Sequence, residues 1–155
     1  MAEVKPTLKV LSEADYPGSR GVTDGQTYQR LVGWPGVVDT DRIRLGRATY
    51  KPGTLEQLHW HPIEACYYVI SGHATVRNFN GEEFEVGPGS MIYAPAGIAG
   101  AHEWEVKESL ELLDIRATNE TNKKIQYTVD KETKRSYIDL ADLFYREAID
   151  FKSHY

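Results

Sequence analysis

The chain of 155 residues is 41% hydrophobic and 26% charged, which suffices for one buried core and excludes a disordered or fibrous protein. Its formal net charge of −5 comes without a basic block, so a nucleic-acid partner is not expected. The single cysteine, Cys66, excludes an internal disulfide and a metal site built from several thiolates. Neither a signal-like stretch nor a run of about 18 apolar residues occurs, which predicts a cytoplasmic protein without a membrane partner.

Short strand-like runs, separated by glycine, proline and asparagine, follow one another along the middle of the chain. In order they are TYQRLVG, DRIRLGRATYKPG, ACYYVISG, ATVRNFNG, EEFEVGPG, SMIYAPAG, HEWEV and SLELLDIRA. Strands and turns at this spacing, with no helical pattern between them, predict an all-β sandwich or barrel. Asn80-Gly81 suits a tight hairpin turn, because this pair tolerates positive φ.

Two segments flank these strands. Residues 1–27 are expected to form a loosely structured N-terminal extension. The stretch SYIDLADLFYREAIDF has a partly helical apolar spacing, which predicts a short C-terminal helix at about 136–151 over the barrel or a partner subunit. We therefore expect one domain over 1–155. Strand edges and ten tyrosines make a homodimer the expected assembly.

The stretch HWHPIEACYYVISG, residues 59–72, places two histidines one residue apart. Side chains alternate along a strand, so His59 and His61 are predicted to share a face with Gln57, while Glu56 points the other way. Two imidazoles about 6 to 7 Å apart on one face can reach a single ion. Gln57 would then either contact a bound ligand or be an ordinary polar residue of the barrel.

Two longer patterns resemble the motifs of the cupin superfamily. Gly53, five residues, His59-x-His61 and a strand that ends at Gly72 resemble its first motif. The stretch GPGSMIYAPAGIAGAHEW, which contains His102, resembles its second motif. The resemblance covers about residues 45–115 and implies the double-stranded β-helix, or jelly-roll barrel, of that family.

The resemblance also implies one divalent metal ion held by His59, His61 and His102, although two positions depart from the family's pattern. A glutamate that often serves as a further ligand would fall on Ala65, and the second-motif histidine would fall two residues before His102. Two extra residues keep the strand parity, so His102 is still expected to face inward. Three interpretations stay open: the three histidines alone, the histidines with Glu64 turned inward by a bulge at the preceding proline, or no functional metal.

The chemistry of such a site follows from its charge. Three neutral imidazoles leave a divalent ion its full charge, so an anionic chelating substrate such as an enolate would supply the missing negative charge. This favours a small oxygen-rich substrate. Three imidazoles suit Fe(II), zinc, nickel and manganese ions alike.

Within the superfamily, the three-histidine set resembles that of acetylacetone dioxygenase-like enzymes, which cleave β-diketones with non-haem Fe(II). This resemblance implies catalytic roles for Tyr67 and Arg77, which stand where that group carries a tyrosine and an arginine near the substrate. The group's glutamate before the second-motif proline is absent, because Ala94 stands there. The resemblance makes Fe(II) the expected metal, with zinc, nickel and manganese as the alternatives. It also makes oxidative carbon–carbon cleavage with dioxygen the expected function. A non-redox cyclase, lyase or isomerase and a non-catalytic binding protein are the alternatives.

Overall fold

The computed structural model describes residues 8–34, 36–117 and 126–138, and these residues are mostly β-strand. The strands are β1 (Ser19–Arg20), β2 (Gln26–Val32), β3 (Ile43–Tyr50), β4 (Leu55–Trp60), β5 (Ala65–Ser71), β6 (Ala74–Asn78), β7 (Glu83–Val86), β8 (Met91–Ala94), β9 (His102–Val106), β10 (Leu110–Ala117), β11 (Tyr127–Val129) and β12 (Ser136–Tyr137). Short 3₁₀ turns lie at Glu13–Asp15 and Ile98–Gly100. No helix in this part of the chain is long and apolar enough to cross a membrane.

The strands form two antiparallel sheets, which confirms the predicted all-β jelly-roll class. The first sheet has the order β1-β2-β3-β10-β5-β8, and the second has the order β12-β11-β4-β9-β6-β7. Burial alternates along the central strands β3 and β10, so each presents one face to the interior and one to the outside. The interior lies between the sheets, where Val69 and Leu112 of the first sheet join the same cluster as Trp104 of the second.

The predicted strands are confirmed in type and order, and HEWEV matches β9 residue for residue. The predicted hairpin joins β6 to β7, and Gly81 has the expected positive φ of 83°. Its loop is longer than two residues, since the last cross-strand pair is Arg77 with Glu83. The side-chain oxygen of Asn78 accepts hydrogen bonds from the backbone N–H groups of Asn80 and Glu82, which stabilises the longer turn.

The two flanking segments differ from the predictions. The expectation of a loosely structured extension is wrong for residues 19–27, because β1 pairs with the start of β2 and both strands join the first sheet. Most of the predicted C-terminal helix, from residue 139 onward, lies outside the described residues. Its first residues are not helical: Ser136 and Tyr137 pair with β11 as strand β12.

The interior position of β10 gives a first prediction. Leu112 is 1% exposed and belongs to the core cluster, whereas the neighbouring Leu113 is only partly buried on the opposite face of the strand. We expect Leu112→Ala to lower the free energy of unfolding by about 2–5 kcal/mol, since it leaves a cavity in a packed interior. Leu113→Ala is the matched control and should cost clearly less in the same urea titration. Equal losses for the two variants would contradict this assignment of the inner face.

Candidate metal centre

The three predicted histidines meet inside the sandwich. His59 lies on β4, His61 directly follows that strand, and His102 opens β9. One ligand nitrogen from each lies within 4.8 Å of the other two, and the residues are 2%, 3% and 4% exposed. Ligands that share one ion with metal–nitrogen bonds of about 2.1 Å lie about 3 to 4 Å apart. Small shifts of the rings would therefore let them hold one metal ion.

A β-bulge in β4 determines which side chains reach this site. Glu56 pairs with Trp104 and His59 pairs with His102, so β4 carries one extra residue between these two pairs. Glu56 and His59 consequently both face inward, whereas the exposed Gln57 faces outward. The predicted orientations of Gln57 and Glu56 are therefore wrong, because simple alternation does not hold across a bulge. Gln57 lines a polar depression on the surface that contains none of the three histidines.

Backbone carbonyls fix the orientation of two of the rings. The carbonyl oxygen of Gln57 lies 2.7 Å from Nδ1 of His59, and that of Gly100 lies 2.7 Å from Nδ1 of His102. A carbonyl can only accept a hydrogen bond, so both Nδ1 atoms carry the proton and both Nε2 atoms have the lone pair. In metal-binding histidines, the ring nitrogen that does not bind the metal typically donates its N–H to a carbonyl or carboxylate oxygen in this way. The donor set thus fits a divalent metal ion.

Burial keeps His102 uncharged and keeps Tyr67 protonated. Burial, with repulsion from His59 as a smaller cause, lowers the pKa of His102 from 6.5 to about 3, so this imidazole is uncharged at neutral pH. The Tyr67 hydroxyl lies 3.1 Å from Nε2 of His102 and donates to it. Burial also raises the pKa of Tyr67 far above its ordinary value. The structure therefore brings Tyr67 to the histidines as a proton donor.

The third ring has a different partner. Nη1 of Arg116 lies 3.2 Å from Nδ1 of His61, and a guanidinium group can only donate, so this Nδ1 accepts. A neutral His61 then carries its proton on Nε2. A metal ion can bind Nε2 only if this proton leaves the ring or moves to Nδ1, and the second route requires that Arg116 release Nδ1. The contact with Arg116 therefore opposes metal binding by His61.

An ion pair holds Arg116 in place. Its Nε donates to Asp114 at 2.8 Å, and the Tyr28 hydroxyl donates to the other carboxylate oxygen at 3.3 Å. Burial alone would raise the pKa of Asp114, but the charge and hydrogen bond of Arg116 outweigh it and hold that pKa below its ordinary value. Gly46 leaves room for the phenol, since a Cβ there would lie 2.0 Å from the Tyr28 oxygen.

Glu56 and Arg116 are residues of this site that sequence reasoning missed. Glu56 is 5% exposed, and one of its oxygens lies 3.7 Å from Nε2 of His59. The Tyr50 hydroxyl donates to the other oxygen at 2.9 Å, and Gln26 in turn donates to the Tyr50 oxygen at 2.7 Å. The only signal of Glu56 in the sequence is an acidic residue three positions before a candidate ligand. The bulge that turns it inward has no sequence signature here.

A 3₁₀ turn absorbs the two residues that displace His102 from the family's spacing. The turn spans Ile98–Gly100, directly before β9. Gly100 packs on Pro95, whose carbonyl oxygen would lie 1.9 Å from a Cβ at that position, so a side chain is excluded there. The position where the family spacing expects a histidine therefore has no room for one. His102, two residues later, faces inward with the predicted parity.

Two other predicted site residues lie on the outside of the sandwich. Glu64 is exposed and accepts a hydrogen bond from the exposed Tyr93 hydroxyl at 2.7 Å, so the alternative in which a bulge at Pro62 turns Glu64 inward is wrong. Arg77 donates to Glu83 of β7 and to Glu103 of β9. The preceding residue, Val76, belongs to the core cluster, so alternation along β6 turns Arg77 outward. The predicted place of Arg77 near the substrate is therefore wrong.

A cavity with room for a small molecule is lined by residues that contact the histidines, although no histidine lines it. Its volume is about 80 Å³, and Glu56, Tyr67 and Arg116 form the wall shared with the metal centre. A cavity of this measure holds about five to eight water-sized groups. Residues 19–22, which belong to the segment predicted to be loosely structured, form part of the opposite wall.

The lowered pKa of His102 predicts how the stability of the metal-free protein depends on pH. Unfolded histidine binds a proton near pH 6.5, but folded His102 does so only near pH 3. The unfolded state therefore binds more protons between these values, so this group makes stability fall with falling pH by about 1.4 kcal/mol per unit. Between about pH 6.5 and 4.5, urea titration should show a loss about 2–3 kcal/mol larger in the wild type than in His102→Gln. The same loss in both proteins would contradict a neutral buried His102.

Comparison with known proteins agrees with the geometry. Residues 46–116 match a family model described as a cupin domain. The polyketide cyclase RemF from Streptomyces resistomycificus is 21% identical, with a TM-score of 0.62 over 73% of this chain and 81% of that one. KdgF from Halomonas sp. is 18% identical, with a TM-score of 0.60 over 72% and 95% of the two chains.

The DMSP lyase DddQ from Ruegeria pomeroyi DSS-3 is also 18% identical, with a TM-score of 0.60 over 69% of this chain, which spans only 58% of that longer protein. No curated protein matches the sequence. At these identities the solved structures are evidence for the fold alone. They show that this chain has the same fold as these proteins, and the model that matches residues 46–116 is that of a cupin domain.

Proposed function

We propose that this protein is a metal-dependent enzyme that moves a proton on a small carbonyl compound able to form an enolate. The observation that carries the proposal is a buried carboxylate, Glu56, 3.7 Å from the Nε2 atom of His59 and on the wall of a cavity. A carboxylate in that position is within reach of a substrate that binds beside the histidines. Apolar residues fill the other half of the interior, so the sandwich can pack without an acid at this position.

His59, His61 and His102 would hold the metal ion. A bound divalent ion would supply Lewis acidity that polarises a carbonyl group, and Fe(II) would in addition supply a site for dioxygen. Fe(II) stays our first choice because of the resemblance to the three-histidine dioxygenases. Zinc, nickel and manganese are alternatives, because three imidazoles bind all of these ions.

Glu56 would act as the general base. It would accept the proton from the carbon next to the carbonyl group, and the electron pair of the broken C–H bond would move to the carbonyl oxygen. Its second oxygen is held by Tyr50, which fixes the carboxylate with one oxygen directed toward His59. General base catalysis of this kind contributes about 10²- to 10⁴-fold to a rate.

Tyr67 and Arg116 would stabilise the charge that develops on the substrate oxygen. Tyr67 keeps its proton because burial raises its pKa, so its hydroxyl can donate a hydrogen bond to an oxyanion. Arg116 stays charged because Asp114 compensates its burial. Both side chains line the same cavity as Glu56. With base, donor and cation on one cavity, a non-redox cyclase, lyase or isomerase is the class that these groups support best.

Oxidative carbon–carbon cleavage is the second candidate. It is supported by the set of three neutral histidines, which resembles that of the β-diketone-cleaving dioxygenases, and by Tyr67, one of the two residues that the resemblance implied. Arg77, the other one, lies away from the cavity and weakens this candidate. Both candidates share formation of an enolate, after which only the dioxygenase consumes dioxygen.

The other expected partners also stay predictions. Dioxygen is a partner only under the second candidate. The expected homodimer agrees with exposed apolar side chains on the outer face of β5 and β8, namely Tyr68, Ile70, Met91 and Tyr93.

Metal content tests the ligand assignment. The protein purified without chelators should contain close to one divalent ion per chain, and His59→Ala and His102→Ala should each lose it while their circular dichroism spectra stay unchanged. His73→Ala is the matched control, because His73 is exposed and bonded to Glu108 outside the site. Full metal occupancy in His59→Ala or His102→Ala would overturn the assignment.

Hydrogen exchange tests the base. Metal-containing protein is incubated in D₂O with a panel of small ketones and oxo acids, and loss of the α-hydrogen signal is followed by NMR. We expect exchange above the buffer rate for at least one compound, and a rate about 10²- to 10⁴-fold lower in Glu56→Gln. Glu64→Gln, a substitution of an exposed glutamate, should leave the rate unchanged.

The outcomes separate the classes. Exchange without uptake of dioxygen favours the non-redox enzyme, whereas dioxygen uptake in step with substrate loss favours the dioxygenase. No exchange with any compound by a protein that holds stoichiometric metal would overturn the proposal in favour of a binding protein.

A further inference from the structure

A chain of hydrogen bonds connects the N-terminal wall of the cavity to Glu56. The backbone N–H of Val22 donates to the side-chain oxygen of Gln26 at 2.8 Å, and the side-chain nitrogen of Gln26 donates to the Tyr50 hydroxyl oxygen at 2.7 Å. The Tyr50 hydroxyl donates in turn to Glu56 at 2.9 Å. All four residues line the cavity, so the chain follows the cavity wall from the first sheet to the second.

The backbone fixes the direction of each bond in this chain. A backbone N–H can only donate, so the side-chain atom of Gln26 that faces Val22 and Thr23 is the oxygen. The amide nitrogen of Gln26 therefore faces Tyr50, and it too can only donate. The Tyr50 oxygen accepts this bond, which leaves the single proton of its hydroxyl for Glu56.

Burial leaves little room for competing partners. Gln26, Tyr50 and Glu56 are 8%, 4% and 5% exposed. Burial also raises the pKa of Tyr50 well above its ordinary value, with the charge of Glu56 as a smaller cause, so the hydroxyl keeps its proton. Hydrogen bonds between buried groups are stronger than those in water, and loss of one partner is correspondingly costly.

A tight turn holds the Gln26 side chain in place. The backbone N–H of Gly21 donates to the backbone carbonyl of Gln26 at 2.9 Å, and the backbone N–H of Gln26 donates to the carbonyl of Thr23 at 3.1 Å. A Cβ at position 21 would lie 2.2 Å from the Gln26 side-chain oxygen, so glycine is required for the amide to fit. Backbone bonds thus close the turn, and the bond to Tyr50 is the separate contribution of the side chain.

We propose that Gln26 is a positioning residue for the catalytic base. It holds the Tyr50 hydroxyl with its proton directed at one oxygen of Glu56, which keeps the other oxygen beside His59 and toward the substrate. Gln26 acts through Tyr50 rather than on the reacting atoms. The catalytic part of this inference rests on the proposed function, whereas the chain of hydrogen bonds does not.

The rate of hydrogen exchange, measured with the compound that exchanges fastest, tests the role of Gln26. Tyr50→Phe should lower kcat about tenfold or more, because it removes the bond that fixes the carboxylate. Gln26→Met, which keeps the length of the side chain, should lower kcat about three- to tenfold. KM should change less than about twofold in both variants, since neither loses a contact with the substrate.

The double variant shows whether Gln26 acts through Tyr50. It should be no slower than Tyr50→Phe alone, because Gln26 has no contact with Glu56 once the hydroxyl is gone. Gln29→Met is the matched control on the same strand, since the Gln29 amide donates to the backbone carbonyls of Glu13 and Tyr16 away from the cavity. Losses that multiply in the double variant, or an effect of Gln26→Met confined to KM, would overturn the assignment.

Proton NMR of the metal-free protein tests the chain without any activity. The Tyr50 hydroxyl should give a downfield signal that is protected from exchange with water and absent in Tyr50→Phe. Gln26→Met should shift this signal and speed its exchange at least about threefold, whereas Gln29→Met should change neither. A wild-type spectrum without such a signal, or a signal that Gln26→Met leaves unaltered, would overturn the inference.

The two measurements separate this inference from the proposed function. The expected NMR changes in a protein that exchanges no substrate hydrogen would support the chain of hydrogen bonds and overturn the catalytic role together with the proposed function. Exchange that requires Glu56 and is unaffected by Gln26→Met would sustain the proposed function and overturn the inference alone.

Discussion

The extra residue in β4 is the constraint on which the site depends. In a regular strand, Glu56 and His59 would point to opposite faces, because they are an odd number of residues apart. The bulge between them turns both inward, and Leu58 packs with Val129 in a second, smaller apolar cluster. A single register shift therefore brings a carboxylate beside an imidazole. Restoring regular pairing would expose one of the two groups.

The interior divides into an apolar half and a polar half. Along β10 the inward residues change from Leu110 and Leu112 to Asp114 and Arg116 within one strand. Replacing buried ion pairs by apolar side chains is often neutral or stabilising, so an apolar core throughout would suit the fold at least as well. The ionised groups Asp114 and Arg116 occur where the cavity lies. This position agrees with the proposed function, whereas the stability of the sandwich does not require it.

Hydrogen bonds make this polar half specific. The two imidazoles that donate to backbone carbonyls cannot rotate without breaking a bond, and His61 is held through Arg116 and Asp114. Buried polar groups with fixed partners define one arrangement of the interior, whereas apolar groups pack in several ways. For His59 and His102 the same contacts leave the lone pair on Nε2, so these two rings are already prepared as ligands. His61 is not, because its Nδ1 accepts from Arg116 and its Nε2 carries the proton.

Sequence reasoning recovered what periodicity and motif spacing encode. The order of the strands follows from turn residues and alternation, and His59, His61 and His102 follow from two motifs. Local irregularities were out of reach: the bulge that exchanges Gln57 for Glu56 changes the face of a side chain without changing the composition of the strand. Arg77 shows the related limit of a positional analogy, because a residue at the right distance along the chain can stand on the wrong face of its strand.

The N-terminal segment completes the wall of the cavity. Residues 19–22 belong to the segment expected to be loosely structured, yet residues 19–20 add an edge strand and all four line one wall of the cavity. The cavity thus draws on both sheets: the first sheet supplies Arg44 and Arg116, and the second supplies Glu56, which lies beside His59. A ligand that fills the cavity would contact both sheets, so its binding would be coupled to the stability of the sandwich.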